Sequence, residues 1–157
     1  MWEGLQHAAW VTTLAESRGL YGLALVVHYS GLFLCVGAIV LIDLRILGVA
    51  GRDQPLSPLA QQLRLWTWIG FAAAVVSGFL LFATKAGSYA TAIPFLVKML
   101  IVALAVVAAL AVEWNVPRWN QAAVMPVTAT FLALISMALW LAAILAAVEV
   151  PALTGLG

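Results

Sequence analysis

The sequence contains very little charge. Of its 157 residues only 8% are Asp, Glu, Lys or Arg, whereas about 25% is usual for a soluble protein. With 66% hydrophobic residues, the chain has too few polar side chains to cover a surface that faces water. The net charge of +1 and the lack of basic clusters exclude a nucleic-acid-binding surface. We therefore expect an integral membrane protein whose main partner is the lipid bilayer.

Cysteine and histidine are also scarce, which limits the chemistry available. The single cysteine, Cys35, leaves no intrachain disulfide. His28 and Cys35 share a helical face but lie about 10.5 Å apart along the axis. They cannot bind one copper ion without ligands from other helices. No pattern of a serine, cysteine or zinc hydrolase is present, and this disfavours a hydrolase.

Four long apolar segments predict an all-α integral membrane protein, built as a bundle of four transmembrane helices. The first segment, Leu20–Ile42, contains no Asp, Glu, Lys or Arg and is about as long as the hydrocarbon core is thick. Loops rich in Gly and Pro separate the segments. In the second span, small residues recur every four positions and should let another helix backbone approach closely: Gly70, Ala74 and Gly78. We expect the other spans at 63–82, 95–112 and 127–148, an interfacial helix over 1–19, a membrane domain over 20–149 and a tail over 150–157.

An even number of spans puts both termini on one side of the membrane. We call this side A, and it also holds the loop 83–94. The opposite side, side B, holds the loops 43–62 and 113–126. Aromatic residues collect at membrane interfaces, and four tryptophans fall at helix ends predicted on side B: Trp66, Trp68, Trp114 and Trp119. A slight excess of Arg on side B predicts that this side is cytoplasmic, with periplasmic termini in a bacterial inner membrane.

Two ionisable residues lie inside the predicted spans, in the half nearer side A. His28 lies about 12 Å and Lys98 about 5 Å from the side A ends of their helices. His28 belongs to a stripe of small residues that should face other helices. An ionisable group inside a membrane costs roughly 2.5–3.5 kcal/mol, so both are candidate functional residues. Two alternatives stay open: Lys98 extends to the headgroups, or His28 is neutral and hydrogen-bonded to a carbonyl or to Ser77.

The same residues allow a b-type haem, which needs an axial ligand and a basic group for its propionates. His28 is the candidate metal ligand, and Lys98 or Arg18 would meet the propionates. Met137 is predicted at a similar depth to His28 and would be the sixth ligand. Because no second histidine lies inside a span, a bis-histidine haem in the bundle is excluded. His7 would serve as a ligand only if the N-terminal helix folds inward.

Charged residues also collect at the side B end of the spans. We interpret them as an interfacial ion-pair network rather than a substrate site, since groups at water level need no functional reason to be charged. The predicted members of this network are Asp43, Arg45, Arg64, Glu113 and Arg118.

Four short motifs carry a resemblance to known proteins: HYSGLF at 28–33, LIDLRILG at 41–48, Trp and Gly early in the second span, and FLVK at 95–98. Together they resemble a family of small bacterial inner-membrane proteins of unknown function. That family is distantly similar to the copper-resistance D membrane domain and to the four-helix, haem-containing protoporphyrinogen oxidase. The resemblance implies a four-helix bundle with functional residues at His28 and Lys98. The chain lacks the further histidines of the oxidase, which argues against that activity.

The leading functional hypothesis is a small membrane redox or haem-associated protein that uses His28 and Lys98. One alternative is an accessory subunit without chemistry, which holds a membrane protein partner or a second copy through its small-residue faces. The other is permeation of metal ions or protons through the bundle.

Overall fold

The computed structural model describes the backbone of residues 2–154 and the side chains of residues 2–148. Within that range the chain is helical, without strands. In chain order its helices are α1 (Trp2–Gln6), α2 (Ala9–Glu16), α3 (Arg18–Ile46), α4 (Leu56–Thr84), α5 (Ala86–Tyr89), α6 (Ile93–Asn120) and α7 (Val127–Thr154).

Four of these helices, α3, α4, α6 and α7, are long and apolar enough to cross a membrane. This confirms the predicted all-α, four-span architecture. Helices α4, α6 and α7 extend well beyond the predicted spans, because each continues through a proline that was expected to lie outside it. Pro58 lies in the first turn of α4, where a missing N–H costs nothing. Pro117 lies within α6, and α7 continues through Pro151 into the segment predicted as a tail.

The N-terminal segment forms two short helices rather than one. Trp2 of α1 meets Phe82 of α4 edge-on, with ring centroids 5.6 Å apart. The backbone N–H of Gly87 donates to Oε1 of Gln6 at 3.1 Å, and Val11 of α2 is fully buried. The segment therefore packs on the side A ends of α4 and α5. The predicted short helical segment at the N-terminus is confirmed, and its position against the headgroups stays a prediction.

Helices α3 and α4 touch through their backbones. A Cβ built on Gly31 would lie 2.7 Å from the Gly70 carbonyl oxygen, and one on Gly70 would lie 2.7 Å from the Cys35 nitrogen. Real Cβ atoms do not approach other atoms this closely, so both positions require glycine. The predicted small-residue contact at Gly70 and Ala74 is confirmed.

Helix α7 packs against α3 through a regular stripe, which fixes how far the two antiparallel helices overlap. Towards side B, Ile46 of α3 belongs to one apolar cluster with Ala129 and Ala133 of α7. Deeper in the bundle, Ile39 and Cys35 of α3 share a second cluster with Trp140 of α7. The stripe on α7 consists of buried residues at helical spacing: Ala129, Ala133, Ser136, Trp140 and Ala143.

A candidate intramembrane histidine site

The His28 ring is held between α3 and α4 by its Nδ1 atom. Nδ1 lies 2.8 Å from the Ala74 carbonyl oxygen and 3.3 Å from Oγ of Ser77. A carbonyl oxygen only accepts, so Nδ1 carries the proton and donates it to Ala74. The hydrogen bond that the sequence left open as an alternative for His28 is therefore present, to a carbonyl and beside Ser77.

The Nδ1 bond decides what the other ring nitrogen can do. Both polar contacts of the ring use Nδ1, so Nε2 has no hydrogen-bond partner among the described residues. In a neutral imidazole with Nδ1 protonated, Nε2 has a free lone pair. His28 as a whole is half-buried. The ring is thus fixed at one nitrogen and available for a ligand at the other.

Ser77 and Gly78 of α4 shape the space around the ring. The Ser77 hydroxyl donates to the Ala73 carbonyl at 2.5 Å, which directs its proton away from His28. A Cβ on Gly78 would lie 2.8 Å from Cε1 of His28 and 3.1 Å from Nδ1. Sequence reasoning assigned Gly78 to helix packing alone, but its lack of a side chain is what admits the imidazole.

Lys98 lies on the same side of the bundle as His28. Its charge is close enough to interact electrostatically with the His28 ring. The Nζ atom lies 4.7 Å from the centre of the Phe95 ring, a cation–π contact. Phe95 stacks on Phe82 with centroids 5.4 Å apart and lies 5.3 Å from Tyr89. An aromatic cluster at side A therefore fixes Lys98, and sequence reasoning did not foresee it.

The structure does not bring Met137 to His28, which corrects its predicted role as sixth ligand. On α7, Ser136 faces Asp43 of α3, and Trp140 packs with Ile39 of α3. Met137 lies between these two α7 residues, so its depth is between those of Asp43 and Ile39. Ile39 is eleven residues from His28 along α3, or about 16 Å. Two axial ligands must flank a single iron atom, so these two residues of one chain cannot share it.

Arg18 is also distant from the ring. It opens α3 and is exposed, ten residues or about 15 Å along the axis from His28. Of the two predicted propionate partners, Lys98 is the one that the structure places near the imidazole.

The predicted side B network is reduced to one ion pair among the described residues. Nε of Arg64 lies 2.8 Å from Oε1 of Glu113. Arg45 and Arg52 instead donate to the backbone carbonyls of Gln54 and Gly48, and Arg118 is exposed at the surface.

The sequence predicted Asp43 at water level with this network, but the structure places it elsewhere. Its side chain is fully buried, with 0% of it exposed. Neither carboxylate oxygen has a hydrogen-bond partner among the described residues. The sequence did not predict the burial of Asp43, because the residue lies near the end of a span.

The residues present do not form a bare metal site. No group of three or more His, Cys, Asp or Glu side chains comes together in the part of the chain that the structure describes. A haem needs less, because its macrocycle already supplies four equatorial nitrogens and the protein adds an axial ligand. The donor set here, one oriented imidazole beside an ammonium group, fits that requirement. The cavity between α3, α4, α6 and α7 is not its place, since it measures about 50 Å³ and does not include His28.

No family model, no curated protein and no solved structure matches the chain. The resemblance to the copper-resistance D domain and to the haem-containing oxidase thus stays a prediction.

Proposed function

We propose that this multi-pass membrane protein binds a b-type haem through Nε2 of His28, with Lys98 as the charge partner of a propionate. One observation carries the proposal: Nδ1 of His28 donates to the Ala74 carbonyl at 2.8 Å. Metal-ligating histidines nearly always donate their other ring N–H to a carbonyl, a carboxylate or water. The His28 ring has that arrangement, with the Ala74 carbonyl as acceptor.

Each neighbour has a separate task in this proposal. The Ala74 carbonyl holds the Nδ1 proton, which selects the tautomer and makes Nε2 a better electron donor. Gly78 leaves room for the ring beside α4. Lys98, fixed against Phe95, offers a positive charge in a medium of low dielectric constant, where attraction to a carboxylate is strong. A bound haem b would supply one-electron redox chemistry.

A single histidine in the spans also defines the kind of haem site. With Met137 at another depth and His7 exposed outside the long helices, the described spans offer one histidine ligand per chain. The proposal therefore predicts either a five-coordinate haem or a sixth ligand other than a histidine of the same chain. A second copy of the chain is one source of that ligand, and a membrane protein partner is another.

The visible spectrum tests the proposal. The protein is expressed in cells supplied with a haem precursor, purified in mild detergent, and compared with His28→Ala and His7→Ala. We expect a Soret band in the wild type and in His7→Ala, and its loss in His28→Ala. His7→Ala is the matched control because it removes the other histidine of the chain. A wild-type protein without a Soret band, or a band that persists in His28→Ala, would contradict the proposal.

The same preparation separates the two alternatives. Stoichiometric co-purification of a membrane protein, with no Soret band, would favour the accessory-subunit hypothesis. Flux of protons or metal ions into vesicles that His28→Ala abolishes, again without the band, would favour permeation.

A further inference from the structure

A second polar site lies in the half of the bundle nearer side B, away from His28. Asp43 of α3 and Ser136 of α7 face each other, and both side chains are 0% exposed. Neither the two Asp43 oxygens nor Oγ of Ser136 makes a well-aligned hydrogen bond to a described residue. Buried polar side chains almost always have a partner, and each of these two side chains has the other as its polar neighbour across the contact.

Apolar layers enclose this pair from both sides. On α3, Asp43 lies between Ile46, which belongs to the cluster nearer side B, and Ile39, which belongs to the deeper cluster. On α7, Ser136 lies in the same way between Ala133 and Trp140. The carboxyl group is thus separated from side B water by packed hydrocarbon rather than exposed at the interface.

Among the residues whose side chains the structure describes, no positive charge faces Asp43 from the helices packed around it. On α3 the nearest cation in sequence, Arg45, bonds the Gln54 carbonyl at 2.7 Å. Arg64 of α4 is paired with Glu113 of α6, and both side chains reach solvent. The described part of α7 that carries side chains, 127–148, contains no ionisable residue. An ionised carboxylate buried without a counter-charge is so unfavourable that such a group takes up a proton instead.

We infer that Asp43 is a proton-binding site inside the membrane, which keeps its carboxyl proton at neutral pH and donates it to Oγ of Ser136. A protonated carboxyl has one O–H donor, and Ser136 offers the acceptor across the α3–α7 contact. The inference does not depend on haem binding, because His28 lies fifteen residues or about 22 Å from Asp43 along α3.

The cavity between α3, α4, α6 and α7 comes within one helical turn of this pair, but its lining includes neither Asp43 nor Ser136. Its lining runs from the Arg64–Glu113 pair to Trp140, one helical turn from Ser136 on α7. The volume of about 50 Å³ is enough for a few water molecules. The indole N–H of Trp140 is also buried without a partner, so it can donate to water there. Ionisable groups placed like Asp43 mark proton and ion pathways in membrane proteins.

The composition of the chain allows a direct test. Asp43 and Asp53 are the only two aspartates, so protein made with aspartate ¹³C-labelled at the side-chain carboxyl gives two signals. Asp53 lies in an exposed loop and is the internal control. We expect the Asp43 signal to be that of a protonated carboxyl group at neutral pH. An Asp43 carboxyl group that is ionised at neutral pH would overturn the inference.

Two variants secure the assignment. Asp53→Asn leaves only the Asp43 signal, so the test holds even if Asp43→Asn fails to fold. In Ser136→Ala, the infrared C=O stretch of the labelled, protonated Asp43 should move to higher frequency, because the acid loses its hydrogen-bond acceptor. An unchanged C=O frequency in Ser136→Ala would overturn the role of Ser136.

Discussion

Gly78 of α4 and His28 of α3 form a complementary pair: a Cβ at position 78 would lie 2.8 Å from Cε1 of the imidazole. The ring occupies the volume that any larger residue would fill. One turn earlier on α4, the Ala74 carbonyl accepts the Nδ1 proton at 2.8 Å. The orientation of His28 therefore depends on two adjacent turns of one neighbouring helix.

Gly78→Ala should displace the His28 ring. The added methyl group overpacks the contact, and such changes typically destabilise a protein by about 1–3 kcal/mol. We expect a lower melting temperature in detergent and weaker haem binding. Gly37→Ala is the matched control, because a Cβ at Gly37 meets nothing within 4 Å. Equal melting temperatures and haem affinities for the two variants would show that the His28–Gly78 contact is not tight.

Gly31→Ala should be more harmful than Gly78→Ala. Its new Cβ would lie 2.7 Å from the Gly70 carbonyl oxygen and 2.8 Å from the Ala74 nitrogen. These are backbone atoms, which cannot rotate away as an imidazole can, so α3 and α4 must separate. We expect the larger drop in melting temperature of the two variants. Gly22→Ala, in the same helix but with open space around its Cβ, should melt close to the wild type. A Gly31→Ala protein that melts like Gly22→Ala would contradict the close crossing.

Replacing Lys98 should weaken haem binding without abolishing it. Lys98→Met keeps much of the packing on Phe95 but removes the charge that would attract a propionate. We expect about a tenfold weaker affinity, or about 1.4 kcal/mol, with partial recovery in Lys98→Arg. Arg18→Gln should leave the affinity unchanged because Arg18 is about 15 Å from His28 along the axis. Haem titration followed by absorbance measures all three variants. A larger loss in Arg18→Gln than in Lys98→Met would reverse the assignment.

The predicted orientation places side B in the cytoplasm. Cys35 is the only cysteine and is buried, so Cys35→Ala gives a background without thiols. In that background, Ser88→Cys introduces an exposed thiol on side A and Gln54→Cys one on side B. A membrane-impermeant maleimide should label Ser88→Cys in intact cells with a permeabilised outer membrane, and Gln54→Cys only after lysis. The opposite labelling pattern would reverse the orientation.

The sequence was sufficient to predict the four spans and the helix face that carries His28. Long apolar segments report membrane crossing directly, and the spacing of Gly70 and Ala74 indicated a close helix contact. The predicted spans were too short at the start of α4 and at the ends of α6 and α7, because Pro58, Pro117 and Pro151 all lie within helices. Pro58 lies in the first turn, where no helical N–H is needed. Pro117 and Pro151 lie in the last turn, where each removes a hydrogen bond without ending the helix.

The relative depth of residues on different helices was harder to predict from the sequence than the buried face of each helix. Met137 and His28 were predicted at one level by counting from helix ends, but the contact of Asp43 with Ser136 sets a different overlap of α3 and α7. Periodicity shows which face of a helix is buried, not how far it slides along its neighbour. One signal was present in the sequence. The stripe on α7 is interrupted by Ser136, a polar residue on a buried face that needs a partner.

The most direct test of the haem proposal is the ¹⁵N NMR spectrum of the two histidines, His7 and His28, before and after ferric haem is added. Before addition, the His28 ring should be neutral, with Nδ1 protonated and Nε2 not. After addition, the paramagnetic iron should broaden the His28 signals and leave those of His7 visible. A protonated Nε2 in the free protein, or His28 signals that haem leaves unchanged, would contradict the assignment of His28 as the haem ligand.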